Sequence, residues 1–316
     1  KAYYDRFLQA LPDVESLAAV EEEKLLKLWE GLGYYNRARN LKKAAMKVVS
    51  EYGGQIPGKY EELLKLPGIG SYTAGAIASI AFGQVQPAVD GNVLRILSRL
   101  RMDERDILDA KVKRAVEEDL AGIMPADRPG DFNQAMMELG AMVCIPNGAA
   151  KCTECPWREL CQAREQERVG EFPKKASKKP RHIEKKTILV IQDANLVALH
   201  KRPDKGLLAG MYEFPSMEGY QEEEQVIAYL RGLGLSPIRI QKLAPAKHIF
   251  THKEWHMTGY RIRVDELSHR EGGLEEHGFI FIDPEETKTA YPIPSAFAAY
   301  AEHVEMKRNR GKIRNS

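Results

Sequence analysis

Two groups of residues in this chain are spaced for chemistry. The first is Leu66-Pro-Gly-Ile-Gly-Ser-Tyr-Thr-Ala74, followed by Pro87-Ala-Val-Asp90-Gly-Asn-Val93. Gly68 and Gly70 are expected to take backbone angles closed to other residues. Ser71 and Thr73 stand where a helix would begin. Glycines, a hydroxyl and open N–H groups at a helix start make a ready phosphate site. Asp90 sits between apolar Val89 and Gly91, just ahead of a second helical pattern at Val93, Leu94, Ile96, Leu97 and Leu100. Alone, such an aspartate reads as a helix cap. Paired with the hairpin, it is a candidate for chemistry.

The second group holds all four cysteines, as Cys144-x7-Cys152-x2-Cys155-x5-Cys161. Four thiols in so short a loop form a ligand set. Thiolates hold either zinc or an iron–sulfur cluster, and a cube-shaped cluster takes four from one compact loop. A zinc ribbon usually presents two C-x-x-C pairs and this loop has one, so zinc is the minor alternative. Disulfides are disfavoured by the absence of secretory features.

The elements that must position these groups follow from periodicity. From Lys1 to about Leu100 apolar residues recur three or four apart, as in Leu25, Leu26, Leu28 and Trp29 and in Leu41, Ala44, Ala45, Val48 and Val49, which predicts helices. Between them lies a turn, Gly31-Leu-Gly-Tyr-Tyr-Asn-Arg-Ala-Arg39. Its aromatics beside arginines suit a wedge into a base stack with cations on phosphate; a helix corner with half-buried tyrosines is the plainer reading. Helices are predicted again over 109–123 and 132–143, the latter capped near Gly130-Asp-Phe. Residues 165–186 carry Lys174, Lys175, Lys178, Lys179, Arg181, Lys185 and Lys186 around two prolines and read as a basic linker. The period then changes. Strands are predicted at 187–192, 196–200, 260–264 and 278–282, with helices near 222–233 and 294–306, an α+β pattern. Within it His248-Ile-Phe-Thr-His252 is rich in histidine but lacks regular ligand spacing.

With 316 residues the chain is long enough for two cores. A net charge of +2 does not announce a nucleic-acid partner, so local clustering matters more. No apolar run is long enough to span a bilayer, and the start shows no signal-peptide pattern. The chain begins with Lys1 inside an apparently running helix, so residues are expected to precede it.

The hairpin followed by Asp90 resembles the helix–hairpin–helix DNA glycosylase superfamily. The cysteine loop resembles the [4Fe–4S] loop of its endonuclease III and adenine glycosylase branch, with a first gap one residue longer than usual, near Pro146-Asn-Gly148. The segment from Lys201 to Pro215 resembles Nudix folds. Gly219–Arg231 lacks the glutamate helix a Nudix hydrolase needs, so that domain is expected to recognise rather than hydrolyse. His248–His252 resembles the F-S-H loop that reads 8-oxoguanine, with Thr251 in place of serine. In this order the features resemble the adenine DNA glycosylase (MutY) family.

The resemblance implies a multidomain protein. Residues 1–164 would form an all-α helix–hairpin–helix domain including the cluster loop at 144–161. Residues 165–186 would be the linker, 187–306 an α+β Nudix-like domain, and 307–316 a basic tail. Asp90, Asn92 and Tyr72 would be catalytic, with Leu32, Tyr34, Gly68, Gly70, Ser71 and Thr73 on DNA. Phe250, Thr251 and His252 would read 8-oxoguanine, and the four cysteines would hold a [4Fe–4S] cluster.

Related bifunctional enzymes carry a lysine where this chain has Tyr72, so strand cutting through a Schiff base is not expected. The family's general-acid glutamate lies upstream of the G-L-G-Y turn. None of Glu15, Glu21, Glu22 and Glu23 sits in its motif, so this chain by itself is expected to have little or no activity. The implied partner is duplex DNA with an 8-oxoguanine:adenine or guanine:adenine mispair. The protein would be monomeric, with no membrane association, in a bacterial-type cytoplasm at the nucleoid. The alternatives are a non-catalytic damaged-DNA-binding module, an endonuclease III-like glycosylase, and a Nudix nucleotide hydrolase with a fused helical domain.

Overall fold

The computed structural model describes residues 1–176, 180–264 and 278–306. Lys178, Lys179 and the basic tail at 307–316 lie outside the described residues. Residues 1–42 with 180–316 form one compact unit and residues 43–179 a second.

The second unit is helical. It holds most of α4 (Asn36–Tyr52), then α5 (Tyr60–Leu63), α6 (Ser71–Phe82), α7 (Gly91–Arg101), α8 (Ala110–Ile123), α9 (Pro129–Glu138) and the short α10 (Gln162–Glu165). Its core gathers Val89, Val93, Leu94, Ile96 and Leu97 against Ile107, Val116, Leu120, Met136 and Leu139. These are the apolar positions that the three-and-four spacing marks on α7. Residues 132–143 are not one helix with a cap at Gly130. Helix α9 starts at Pro129, whose missing N–H suits a first turn, and a π-turn at Leu139–Val143 continues it. The supposed linker is partly structured: Phe172 is buried, and residues 182–186 begin a strand.

The first unit joins three N-terminal helices, α1 (Ala2–Ala10), α2 (Val14–Ala19) and α3 (Glu22–Leu28), to a sheet. The strands are β1 (His182–Asp193), β2 (Leu196–Lys201), β3 (Tyr212–Glu213), β4 (Ser216–Glu218), β5 (Pro237–Ile249), β6 (Lys253–Val264) and β7 (Phe279–Ile282). Their order is β3-β2-β1-β6-β5, with β4 pairing β1 and β7 pairing β2. Strands β1 and β6 run parallel, and the other pairs are antiparallel. Central β1 is buried on both faces, with Ile188 and Val190 in one cluster and Leu189 and Ile191 in the other. Helix α11 (Glu223–Gly232) covers the second face through Val226 and Leu230. Residues 294–306 are not one helix: 3-10 turns flank the four-residue α12 (Ala298–Ala301). Strands β3, β4, β5 and the first half of β6 escape the sequence pattern: β3 and β4 are two and three residues long, too short to show a period, and β5 is mostly exposed and does not alternate.

Candidate active site

The hairpin is built from α5, the turn Leu66–Gly70 and the start of α6. Leu63 and Leu66 anchor it in the core. Gly68 has φ +78°, the left-handed angle the turn needs. Gly70 does not share it: it is extended, at φ −97° and ψ −179°, and a Cβ there would meet nothing within 4 Å. The space in front of it is therefore open. Gly70 caps α6 with no side-chain bond, which leaves the first-turn N–H groups without a side-chain cap. Ser71 Oγ accepts from Lys113 Nζ at 2.8 Å, which adds a cation at the same helix start.

Asp90 is the N-cap of α7. Its Oδ1 accepts from the N–H groups of Asn92 and Val93 at 2.8 and 2.9 Å, and its Oδ2 accepts from Asn92 Nδ2 at 2.9 Å. Capping fixes the side chain, and Asp90 stays half-buried. Asn92 Oδ1 accepts in turn from Arg95 Nη1 at 2.9 Å. Arg95, 5% exposed, also donates to the carbonyls of Cys144 and Gly140 at 2.8 and 2.7 Å. Burial lowers the Arg95 pKa, and neighbouring thiolate and carboxylate charge opposes that.

Tyr72 lies near enough to Asp90 to feel its charge. Desolvation first, then that charge, raises the phenol pKa. Its hydroxyl donates to Met137 Sδ at 3.7 Å and not to Asp90.

Sequence reasoning missed four residues here. Asn133, 2% exposed, accepts from Ala88 N at 3.0 Å and donates to Gln86 O at 2.8 Å, so it holds the segment that leads into Asp90. A Cβ on Gly75 would fall 2.3 Å from Pro87 O, so only glycine lets that segment lie on α6. A Cβ on Gly140 would fall 2.7 Å from Asn92 Cβ, in the π-turn that also offers its carbonyl to Arg95. Arg95 itself reads as polar-face filler in the sequence. Its burial depends on the loop folding back, which no local pattern reveals.

The four cysteines line one small cavity together with Arg99 and Trp157. Among the described residues, as placed, no three His, Cys, Asp or Glu side chains already converge as a metal set. The donor chemistry nonetheless fits a thiolate-bound group: all four cysteines are free of disulfides and half-buried. Desolvation first, then the charge of the other cysteines, raises the Cys152 thiol pKa, and both act on Cys155 as well. Arg99 Nη1 donates to Cys144 Sγ at 3.3 Å and to Ile145 O at 3.0 Å. Arg99 and Arg95 thus both fasten the loop to α7.

The remaining candidates lie in the other unit. Leu32 is 38% exposed and Tyr34 is 73% exposed, with Tyr34 held at φ +49°. Tyr35 is buried. Phe250, Thr251 and His252 form the tip between β5 and β6. Thr251 and His252 are exposed, while Phe250 is half-buried between the rings of His248 (4.6 Å) and Trp255 (4.8 Å). Of the glutamates upstream of the turn, Glu22 pairs with Arg39 at 2.7 Å, and Glu23 accepts from the distant Tyr212 Oη at 2.5 Å. Among the described residues no helix is long and apolar enough to cross a membrane.

A hairpin-led helical unit and a Nudix-like sheet define the class. Residues 1–122 match the HhH-GPD superfamily of base excision DNA repair proteins, and residues 187–303 match the NUDIX domain. The chain is 38% identical over 314 residues to the adenine DNA glycosylase of Mus musculus, covering 84% of this chain and 61% of that protein. It is 31% identical over 266 residues to the adenine DNA glycosylase of Buchnera aphidicola from Acyrthosiphon pisum, covering 84% and 75%. A solved non-covalent endonuclease III–DNA complex shares 29% identity at a TM-score of 0.46, covering 52% of this chain and 76% of that one. The chain belongs to the adenine DNA glycosylase family. It spans 61% of the mouse relative and 55% of the human one.

Proposed function

We propose that this protein removes adenine mispaired with 8-oxoguanine or guanine in duplex DNA, hydrolysing the N-glycosidic bond without cutting the strand. The observation that carries the reading is Asp90, a carboxylate fixed by three donors at a helix start, in the same helical unit as the Gly68–Ser71 turn.

The bond to adenine is unreachable inside a duplex, so the nucleotide must be flipped out, at a cost of a few kcal/mol. Departure of the base leaves cationic character on the sugar, as in glycoside hydrolysis. A carboxylate that is already oriented stabilises that charge without reorganising at the moment of reaction. Asn92 holds the carboxylate from the side chain as well as the backbone. Tyr72 has no amine to form a Schiff base, which supports hydrolysis alone.

The open N–H groups of α6, with Ser71, Thr73 and Lys113 beside them, would take a backbone phosphate. Leu32 and Tyr34 would wedge into the stack. Thr251 and His252 would hydrogen-bond the oxidised base, with Phe250 packing beside it. Cys144, Cys152, Cys155 and Cys161 would hold a [4Fe–4S] cluster, which supplies metal–thiolate bonds cross-linking the loop. The protein would act as a monomer at the nucleoid. The general-acid role is assigned to no residue of this chain.

The test is single-turnover base release from an 8-oxoguanine:adenine duplex, run on this chain and on an N-terminally extended form. Release by the extended form and none by its Asp90→Asn variant supports the assignment. Tight binding without release by the extended form makes the protein a binding module instead.

A further inference from the structure

The two exposed probes assigned above to DNA, the Leu32–Tyr34 turn and the Phe250–His252 tip, come from opposite ends of the chain yet belong to one compact unit. The turn is bolted to the C-terminal half of that unit just before it begins. Lys27 and Glu30, 10% and 12% exposed, pair at 2.5 Å. Lys27 also donates to the Thr287 carbonyl, and Glu30 Oε1 accepts from Ile293 N at 3.0 Å.

Past Glu30 the backbone requires a glycine. Gly31 has φ +91°, and a Cβ there would lie 2.6 Å from Tyr3 Oη. Trp29 Nε1 then donates to Gly33 O at 3.1 Å, and the Arg37 guanidinium lies 5.7 Å from the Trp29 ring and 5.6 Å from the Tyr34 ring. On the other side, Ile293 belongs to the cluster that contains Trp255, against which Phe250 packs. A continuous packed path therefore runs from the tip through Trp255 and Ile293 to Glu30 and the turn.

A buried ion pair is a poor stabiliser, since apolar residues of similar size would usually do as well. Its directional bonds fix register instead. We propose that the Lys27–Glu30 pair is a positioning clamp, which makes insertion of the Leu32–Tyr34 turn into the base stack depend on the base bound at the Phe250–His252 tip. An oxidised guanine is then read and wedged as one event. The proposal rests on the reading of both sites as DNA contacts.

The test uses the full chain and duplexes carrying 2-aminopurine beside an 8-oxoguanine:adenine or a guanine:adenine pair. The wild type is expected to raise 2-aminopurine fluorescence, a measure of unstacking, several-fold more on the 8-oxoguanine duplex. Replacing the pair by apolar groups (Lys27→Met with Glu30→Leu) also removes the bonds to Thr287 O and Ile293 N, so it should lower the melting temperature while the protein stays folded, and should bring the ratio of the two rises toward one. Glu30→Gln keeps an acceptor for Ile293 N and should retain most of the ratio. A folded double variant with the wild-type ratio overturns the clamp while leaving the site reading intact. Should the double variant not fold, Lys27→Met with Glu30→Gln decides, on the same ratio: it removes the pair, leaves no buried charge unpaired, and keeps an acceptor for Ile293 N. Equal rises on both duplexes for the wild type, unmoved by Thr251→Ala, would sink the site reading and the clamp with it.

Discussion

Asn92 grips Asp90 twice: its backbone N–H donates to Oδ1 at 2.8 Å and its side-chain amide donates to Oδ2 at 2.9 Å. Cap and chemical group are therefore one side chain, and they can be separated by substitution. Asparagine caps about as well as aspartate, whereas alanine costs about 1 kcal/mol. Asp90→Asn keeps the cap to the Asn92 and Val93 N–H groups but sets an amide against Asn92 Nδ2, so it should lower thermal stability only modestly and lower base release by at least about 10²–10³-fold, the scale for losing an oriented electrostatic group. Asp90→Ala should lose both. Melting curves and single-turnover rates on an N-terminally extended form separate the effects.

Gly68 and Gly70 should behave differently on substitution by alanine. At Gly68 the left-handed angle makes any Cβ strained, and a loss of about 1–2 kcal/mol is expected. At Gly70 the angle is ordinary and the space is open, so the fold should be unaffected. The added methyl group should still block a phosphate. DNA binding should weaken equally across sequences, and the salt slope should fall by about one unit if a phosphate contact is lost. An unchanged salt slope would remove the hairpin from the DNA interface.

The cysteine loop and Asp90 are tied through Arg95, which offers bonds to Cys144 O, Gly140 O and Asn92 Oδ1. Arg95→Leu would orphan those acceptors, at about 1–3 kcal/mol for each one left buried and unpaired. Denaturant unfolding should show a loss of several kcal/mol. The purified protein is expected to be brown, with iron and sulfide in equal amounts. Cys155→Ser should lose the colour and melt lower. A colourless wild type containing zinc would replace the cluster assignment.

Glu254 gives a pH prediction. Hydrogen bonds from Lys247 first and then His256, with the nearby charge of Arg181, pull its pKa from 4.5 down to about 2. The folded value lies below the unfolded one, so the carboxylate contributes stability above pH 4.5 and loses it as pH falls toward 2. Amide exchange in the β5–β6 hairpin should accelerate across that window. Glu254→Gln should flatten the pH dependence. An identical profile for both proteins would contradict the linkage.

What the sequence determined is local. A three-and-four apolar period gives α7 and α8, because a helix buries one stripe whatever it packs against. Glycine at 68, Asp90 just ahead of α7 and four closely spaced thiols mark the hairpin, the cap and the ligand loop, since each is set by residues near in sequence. The likeness to a family then orders these features along the chain.

Other features were decided only by tertiary structure. Arg95 and Arg99 look like solvated charges until the loop from Cys144 folds back over them. Gly70 seems to share the role of Gly68 until its backbone angle is seen. The first 42 residues group with the C-terminal sheet, through contacts such as those of Leu26 and Tyr35 with Met211. Strand β5 hides because an exposed edge strand need not alternate. In each case the deciding contacts join residues far apart in the chain, and periodicity carries no information about which distant surface will cover a given face.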